Sequence, residues 1–158
     1  NQGRIEEALE SLRNALRQDG LHSASRQLLV KLLLEAKRPD EAIQTLHDGL
    51  QGQPAQTAWA MSLARLQVDR GDLAGAWQTL DYSLPAAAGN ADYQGFAAHV
   101  LQRLGRNKEA AERYQAASRL SPADAEGRSA EAREAFIRAR QSGNLSAELM
   151  VMIEQKLR

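Results

Sequence analysis

The sequence predicts an all-α fold, a solenoid of helix–turn–helix repeats about 34 residues long. Three observations carry that expectation. Alanines recur at Ala8, Ala42, Ala76 and Ala110, in steps of 34. Each closes a similar six-residue phrase: GRIEEA, KRPDEA, GDLAGA and GRNKEA. Twelve residues after each mark stand Gly20, Pro54, Ala88 and Pro122, so three of the four steps carry a helix breaker.

The second helix of each unit is the more regular one. Four residues after the mark come Leu12, Leu46, Leu80 and Tyr114, all large and apolar. Seven after come Ala15, Gly49, Ser83 and Ala117, all small. Eight after come Leu16, Leu50, Leu84 and Ser118. Spacings of four and seven share one helix face, and small residues there let two helices approach closely. The first helices are less regular. Leu29, Leu33 and Leu34 serve the second unit, Trp59, Leu63 and Leu66 the third, and Tyr93, Ala97, Val100 and Leu101 the fourth. Lys37, Gly71 and Gly105 turn the chain between the two helices. Glycine suits a left-handed helix end. Lys37 departs from that pattern, and Pro39 at the start of the next helix is expected to enforce its turn.

Over residues 3–122 the chain resembles tetratricopeptide repeat (TPR) proteins. The likeness lies in the period and in three columns of the second helix. The first helix lacks the family's usual Trp and Leu-Gly signature. The resemblance implies a right-handed α-α superhelix whose first helices line a concave, partner-binding groove. The expected division is one domain over 1–158. Residues 1–20 form the second helix of an incomplete repeat, and 21–54, 55–88 and 89–122 form full repeats. Residues 123–141 form a partial repeat lacking its first helix, and 142–158 a capping helix. The chain starts at Asn1, mid-repeat, and reads as a fragment of something longer.

The period breaks near the end. The phrase returns at Gly127 to Ala132 (GRSAEA), with Phe136 and Ala139 in the bulky and small columns. Ala132 follows Ala110 by 22 positions, not 34, so a first helix is missing. Either that helix has been deleted, or a disordered stretch of similar length is left out of the chain. The second is the expectation, because solenoids bury both helices of each unit. It predicts a Cα–Cα gap well above ~3.8 Å somewhere from Ala125 to Ser129. Beyond Gln141-Ser142-Gly143-Asn144, Ser146 can cap a last helix with the stripe Leu149, Ile153 and Leu157. Glu148, Glu154, Gln155 and Lys156 supply its polar side. The stretch from Ala132 to Leu157 also resembles the end of MshN-type proteins of mannose-sensitive haemagglutinin (MSHA) pilus biogenesis. The Gly143-Asn144-Leu145-Ser146 break and the Glu154-Gln155-Lys156-Leu157 ending carry that likeness. It implies a periplasmic domain anchored to the inner membrane through a region outside this chain. It also implies partners in a type IV pilus assembly complex. A cytoplasmic location is the alternative.

Composition narrows the function. Basic and acidic residues balance at 20 each, and aromatics are 4 %, which argues against a nucleic-acid partner. There is no cysteine, hence no disulfide, thiolate metal site or cysteine nucleophile. No apolar run approaches the ~20 residues of a membrane span, so this segment is expected to make no direct membrane contact. His22, His47 and His99 show no paired metal-ligand spacing, and no nucleophile elbow or phosphate loop appears. No enzyme activity, metal or cofactor is expected.

The candidate site is therefore a protein surface. Lys31, Arg65 and His99 recur at 34-residue steps on the first helices, followed four residues on by Glu35, Asp69 and Arg103. One reading is a basic ladder facing a carboxylate-bearing peptide, with Gln27, Met61, Asp92 and Gln102 around it. The other is that Lys31–Glu35 and Arg65–Asp69 are ordinary i,i+4 pairs on solvated faces. The ladder lacks the Lys and Asn pattern of family members that bind chaperone tails. Trp77 is expected in the core, Trp59 half-exposed, and Tyr82 and Tyr93 packed around the loop 85–90. The alternative function is self-association into a homo-oligomer. Its surface would be the lone first segment, whose Ile5, Leu9, Leu12 and Leu16 need cover.

Overall fold

A computed structural model describes residues 1–121 together with Glu134, Ala135, Ile137, Arg138 and Gln141. The fifth phrase, the predicted chain gap and the capping helix lie outside the described residues. Within them the fold is all-α, as the 34-residue period predicts. The helices are α1 (Gln2–Gln18), α2 (Ser23–Glu35), α3 (Pro39–Leu50), α4 (Thr57–Asp69), α5 (Leu73–Ser83), α6 (Ala91–Arg103) and α7 (Asn107–Leu120). A 3₁₀ turn, Pro85–Ala87, joins α5 to α6. Each helix packs chiefly on its neighbours in sequence, the quasi-linear arrangement of a solenoid.

The mark alanines show why the period exists. Ala42, Ala76 and Ala110 are fully buried, because a larger side chain there would hold the paired helices apart. Ala8, on α1, is only half-buried. The bulky column fills the space beside them: Leu46, Leu80 and Tyr114 are all 2 % exposed or less. Burying each stabilises the fold by about 1.5–3 kcal/mol before ordering costs.

The intra-repeat turns are three copies of one device. Lys37, Gly71 and Gly105 have φ of 57°, 79° and 79°. The next amide in each case reaches back to a helix carbonyl: Arg38 to Leu33 at 2.8 Å, Asp72 to Gln67 at 2.8 Å, and Arg106 to Leu101 at 2.9 Å. This is the Schellman closure. Lys37 thus takes the left-handed conformation of its glycine counterparts, a departure from the expectation that Pro39 alone would make the turn. Pro39 does open α3.

Helix starts vary more. His22 Nδ1 accepts from the Ser25 amide at 3.2 Å, Asp72 from Gly75 at 2.9 Å, and Asn90 from Tyr93 at 3.1 Å. At the starts of α3 and α7 an arginine precedes the helix and pairs with a glutamate three residues on. These pairs are Arg38–Glu41 at 2.5 Å and Arg106–Glu109 at 2.7 Å. Two further bridges, Glu6–Arg38 at 2.6 Å and Arg13–Glu41 at 2.8 Å, tie α1 to this network. Hydrogen bonding to Arg38 holds the Glu41 carboxyl below its ordinary pKa.

Candidate functional site

The first helices α2, α4 and α6 carry all nine residues expected at a groove. Gln27 and Lys31 are exposed on α2 and line one pocket of ≈ 410 Å³ between α2 and α4. Its apolar wall is Val30, Leu34, Leu46, Ala58 and Trp59, with Glu35 and Ser62 at the polar edge. Lys31 Nζ sits 3.9 Å from Glu35 Oε1, and both side chains are well exposed. The i,i+4 alternative therefore holds for this pair, and such a pair contributes little.

Arg65 does not follow. Among the described residues it makes no ion pair with Asp69, and its guanidinium lies over the Phe96 ring of α6 at 5.7 Å. This cation–π contact ties the third unit to the fourth. Met61 is half-buried against the core. Asp69, His99 and Arg103 are exposed, and Asp92 lies in the first turn of α6, where a carboxylate suits the helix dipole. Gln102 is turned elsewhere: its Oε1 accepts from the Tyr114 hydroxyl of α7 at 2.9 Å. Its carboxamide belongs to the seam between the paired helices.

The aromatic expectations are partly corrected. Trp59 is 2 % exposed, not half-exposed, because Arg26 covers its ring at 5.2 Å. Trp77 packs against the core as expected, with Arg106 over it at 5.2 Å. Tyr93 is fully buried and donates its hydroxyl to the Leu80 carbonyl at 2.7 Å, which caps the end of α5. Burial pushes the Tyr93 phenol well above its ordinary pKa. Tyr82 stays exposed.

Two further grooves run between successive second helices, and the sequence reading missed them. One, of ≈ 440 Å³ between α1 and α3, is lined by Arg13, Leu16, Arg17, Leu29, Glu41, Gln44, Thr45 and Asp48, together with Arg26. Adding 34 to those eight gives His47, Leu50, Gln51, Leu63, Gly75, Gln78, Thr79 and Tyr82. These line the other groove, of ≈ 520 Å³ between α3 and α5. The repeat itself was the signal that could have found them. Among the described residues no cluster of His, Asp and Glu could hold a metal ion, and no helix is long and apolar enough to cross a membrane.

The tetratricopeptide repeat profile matches residues 1–66 and again 33–100, overlapping by one repeat. The chain belongs to the tetratricopeptide repeat family. No curated protein matches it. Among solved structures, the MamA protein is similar with a TM-score of 0.65 at 16 % identity, covering 99 % of this chain and 82 % of that one. MamA 41-end from Desulfovibrio magneticus RS-1 gives 0.63 at 14 % identity, covering 99 % and 85 %. YrrB, a TPR protein with an unusual peptide-binding site, gives 0.64 at 16 % identity, covering 98 % and 77 %. At such identities the likeness is one of fold: a TPR solenoid shared over nearly the whole chain.

Proposed function

We propose that this TPR chain is a protein–protein interaction scaffold that binds a partner peptide or helix on its first-helix face. One observation carries the reading. The pocket between α2 and α4 has an apolar wall open to solvent beside exposed Leu34, with Gln27 and Lys31 at its edge. An apolar recess with a few convergent polar groups is what a partner's anchoring side chain needs. The peptide-binding site of YrrB supports such a use of this fold. The resemblance of residues 132–157 to MshN-type proteins supports the finer reading, a partner within a type IV pilus assembly complex and a periplasmic location.

Random peptides selected on the chain test the first part. Binders should lose affinity by about tenfold or more on Leu34→Asp, the 1.4 kcal/mol of one misplaced anchor contact. Peptides that bind both forms equally would count against the groove. Recovery of the native protein in a cytosolic fraction would end the pilus reading.

A second reading, self-association, rests on the start of α1. Ile5 is 37 % exposed there, and Ala8 is less buried than its three counterparts. Further along, Leu9 is fully buried and Leu12 and Leu16 pack half-buried against the core, so most of the face expected to need cover is already covered. Sedimentation showing a concentration-dependent dimer that Ile5→Asp abolishes would favour it.

A further inference from the structure

Arg26 is not what the repeat of this chain requires at its position. It stands in the column occupied by Ala60 and Gln94 one and two repeats later, and all three are buried. Its own exposure is 6 %. One Nη donates to the Gly20 carbonyl at 2.8 Å and the other to the Thr45 carbonyl. Its Nε is buried with no hydrogen-bond partner. Gly49 makes the berth: a Cβ there would stand 2.6 Å from Arg26 Cδ and Nε.

No carboxylate forms an ion pair with this guanidinium among the described residues. Asp48 lies on the same groove wall, but its Oδ1 accepts from Gln44 at 2.7 Å. Burial without a pairing carboxylate pushes the Arg26 pKa down, and Asp48 offsets this only in part. A buried cation held by two carbonyls and an indole ring lacks a carboxylate in direct ion-pair contact.

The rest of the lining holds two arginines and two carboxylates, so the groove as a whole carries one net positive charge. Arg13 and Arg17 line it from α1. Glu41 is shared between Arg13 and Arg38. Arg17 pairs with Glu10 on a side chain 64 % exposed, so it can turn into the groove at small cost. The repeat does not require these arginines for packing. The corresponding positions around the next groove are His47, Gln51 and Ala60.

We propose that the groove between α1 and α3 binds an acidic side chain of a partner protein, which gives Arg26 the ion-pairing carboxylate it lacks and draws Arg17 and Arg13 onto it from Glu10 and Glu41. A guanidinium forks onto a carboxylate with two parallel hydrogen bonds, so the site selects carboxylate over amide. It lies among the second helices, apart from the pocket between α2 and α4, and stands or falls independently of that pocket.

The probe is N-acetyl-glutamate N-methylamide, whose single charge is its side-chain carboxylate, titrated into the nitrogen-15-labelled full chain. The Arg26 Nε–Hε resonance reads the site directly. That resonance and the Gly49 amide should shift to saturation, while the Gln78 amide of the other groove stays put. The glutamine analogue should give no saturating shift. Arg17→Gln should weaken binding about two- to fivefold, the range of an exposed ion pair. Arg13→Gln with Arg17→Gln should abolish saturation, and the amide spectrum reports whether that double variant remains folded. Arg17→Gln lies outside the Arg38–Glu41 network and keeps the test open if the double variant unfolds. Equal shifts from the glutamine analogue, unchanged affinity in Arg17→Gln, or saturation by inorganic phosphate alone would each overturn the proposal.

Discussion

The groove between α1 and α3 and the groove between α3 and α5 are one backbone construction, 34 residues apart, with different chemistry. In both, a leucine of the first helix forms the floor (Leu29, Leu63) and a threonine sits on one wall (Thr45, Thr79). The first groove is arginine-rich and clamped by the Glu6–Arg38–Glu41–Arg13 chain of ion pairs. The second has no arginine in its lining and mostly amide and hydroxyl walls (Gln51, Gln67, Gln78 and Tyr82, with Thr79 donating to Gln67 at 2.7 Å), beside His47 and Asp72. Among the described residues no ion pair joins α3 to α5. Repetition fixes the shape of such a groove, because shape follows from helix spacing. It leaves the chemistry free, because rim positions are half-exposed and carry little packing energy.

The largest test is of the shared floor. Leu29→Ala and Leu63→Ala should each cost about 2–4 kcal/mol in urea unfolding, because both leucines are almost fully buried. Costs differing by more than the spread of one such series would break the equivalence of the two grooves. Gly49→Ala comes next. Alanine already occupies that column at Ala117, fully buried without strain. At Gly49 the added Cβ would collide with Arg26, so the substitution should lose about 1–2 kcal/mol despite alanine's better helix propensity. A gain in stability would show that Arg26 is loosely held and would weaken the contrast. The turn before α3, the helix common to both grooves, is smaller still. Lys37→Gly should gain about 0.5–1 kcal/mol, and Gly71→Ala should lose a similar amount, both read from thermal unfolding.

The smallest effect is the acid response of the clamp. Glu41 has its folded-state pKa depressed below 4.5, chiefly by Arg38. Its contribution is full above that ordinary value and fades as pH falls through the depressed one. Amide exchange in α1 should therefore quicken as pH drops from about 5 to 3, after correction for intrinsic rates, and Arg38→Gln should flatten that response. An unchanged profile in Arg38→Gln would place the acid sensitivity elsewhere.

Much of the fold was legible because a repeat states its packing rules several times over. Ala42, Ala76 and Ala110 must be small for one reason, and that reason recurs every 34 residues. The candidate site was less legible. Lys31 and Arg65 occupy equivalent positions in sequence, yet one meets Glu35 of its own helix and the other meets Phe96 of the next unit. Gln102 looked like a groove residue until Tyr114 was found to hold it. Trp59 looked half-exposed because nothing in a linear reading places Arg26 over its ring.

The sequence by itself determined the all-α class, the helix-pair repeat, the family and the buried columns, since these follow from local periodicity and steric size. Only the tertiary structure decided where the long side chains go. Arginine and glutamine reach across helices, so several of their partners lie 12 to 32 positions away, as in Thr79–Gln67, Arg13–Glu41 and Arg38–Glu6. That reach is why the arginine-rich groove and the glutamine-rich groove become two different surfaces only after folding.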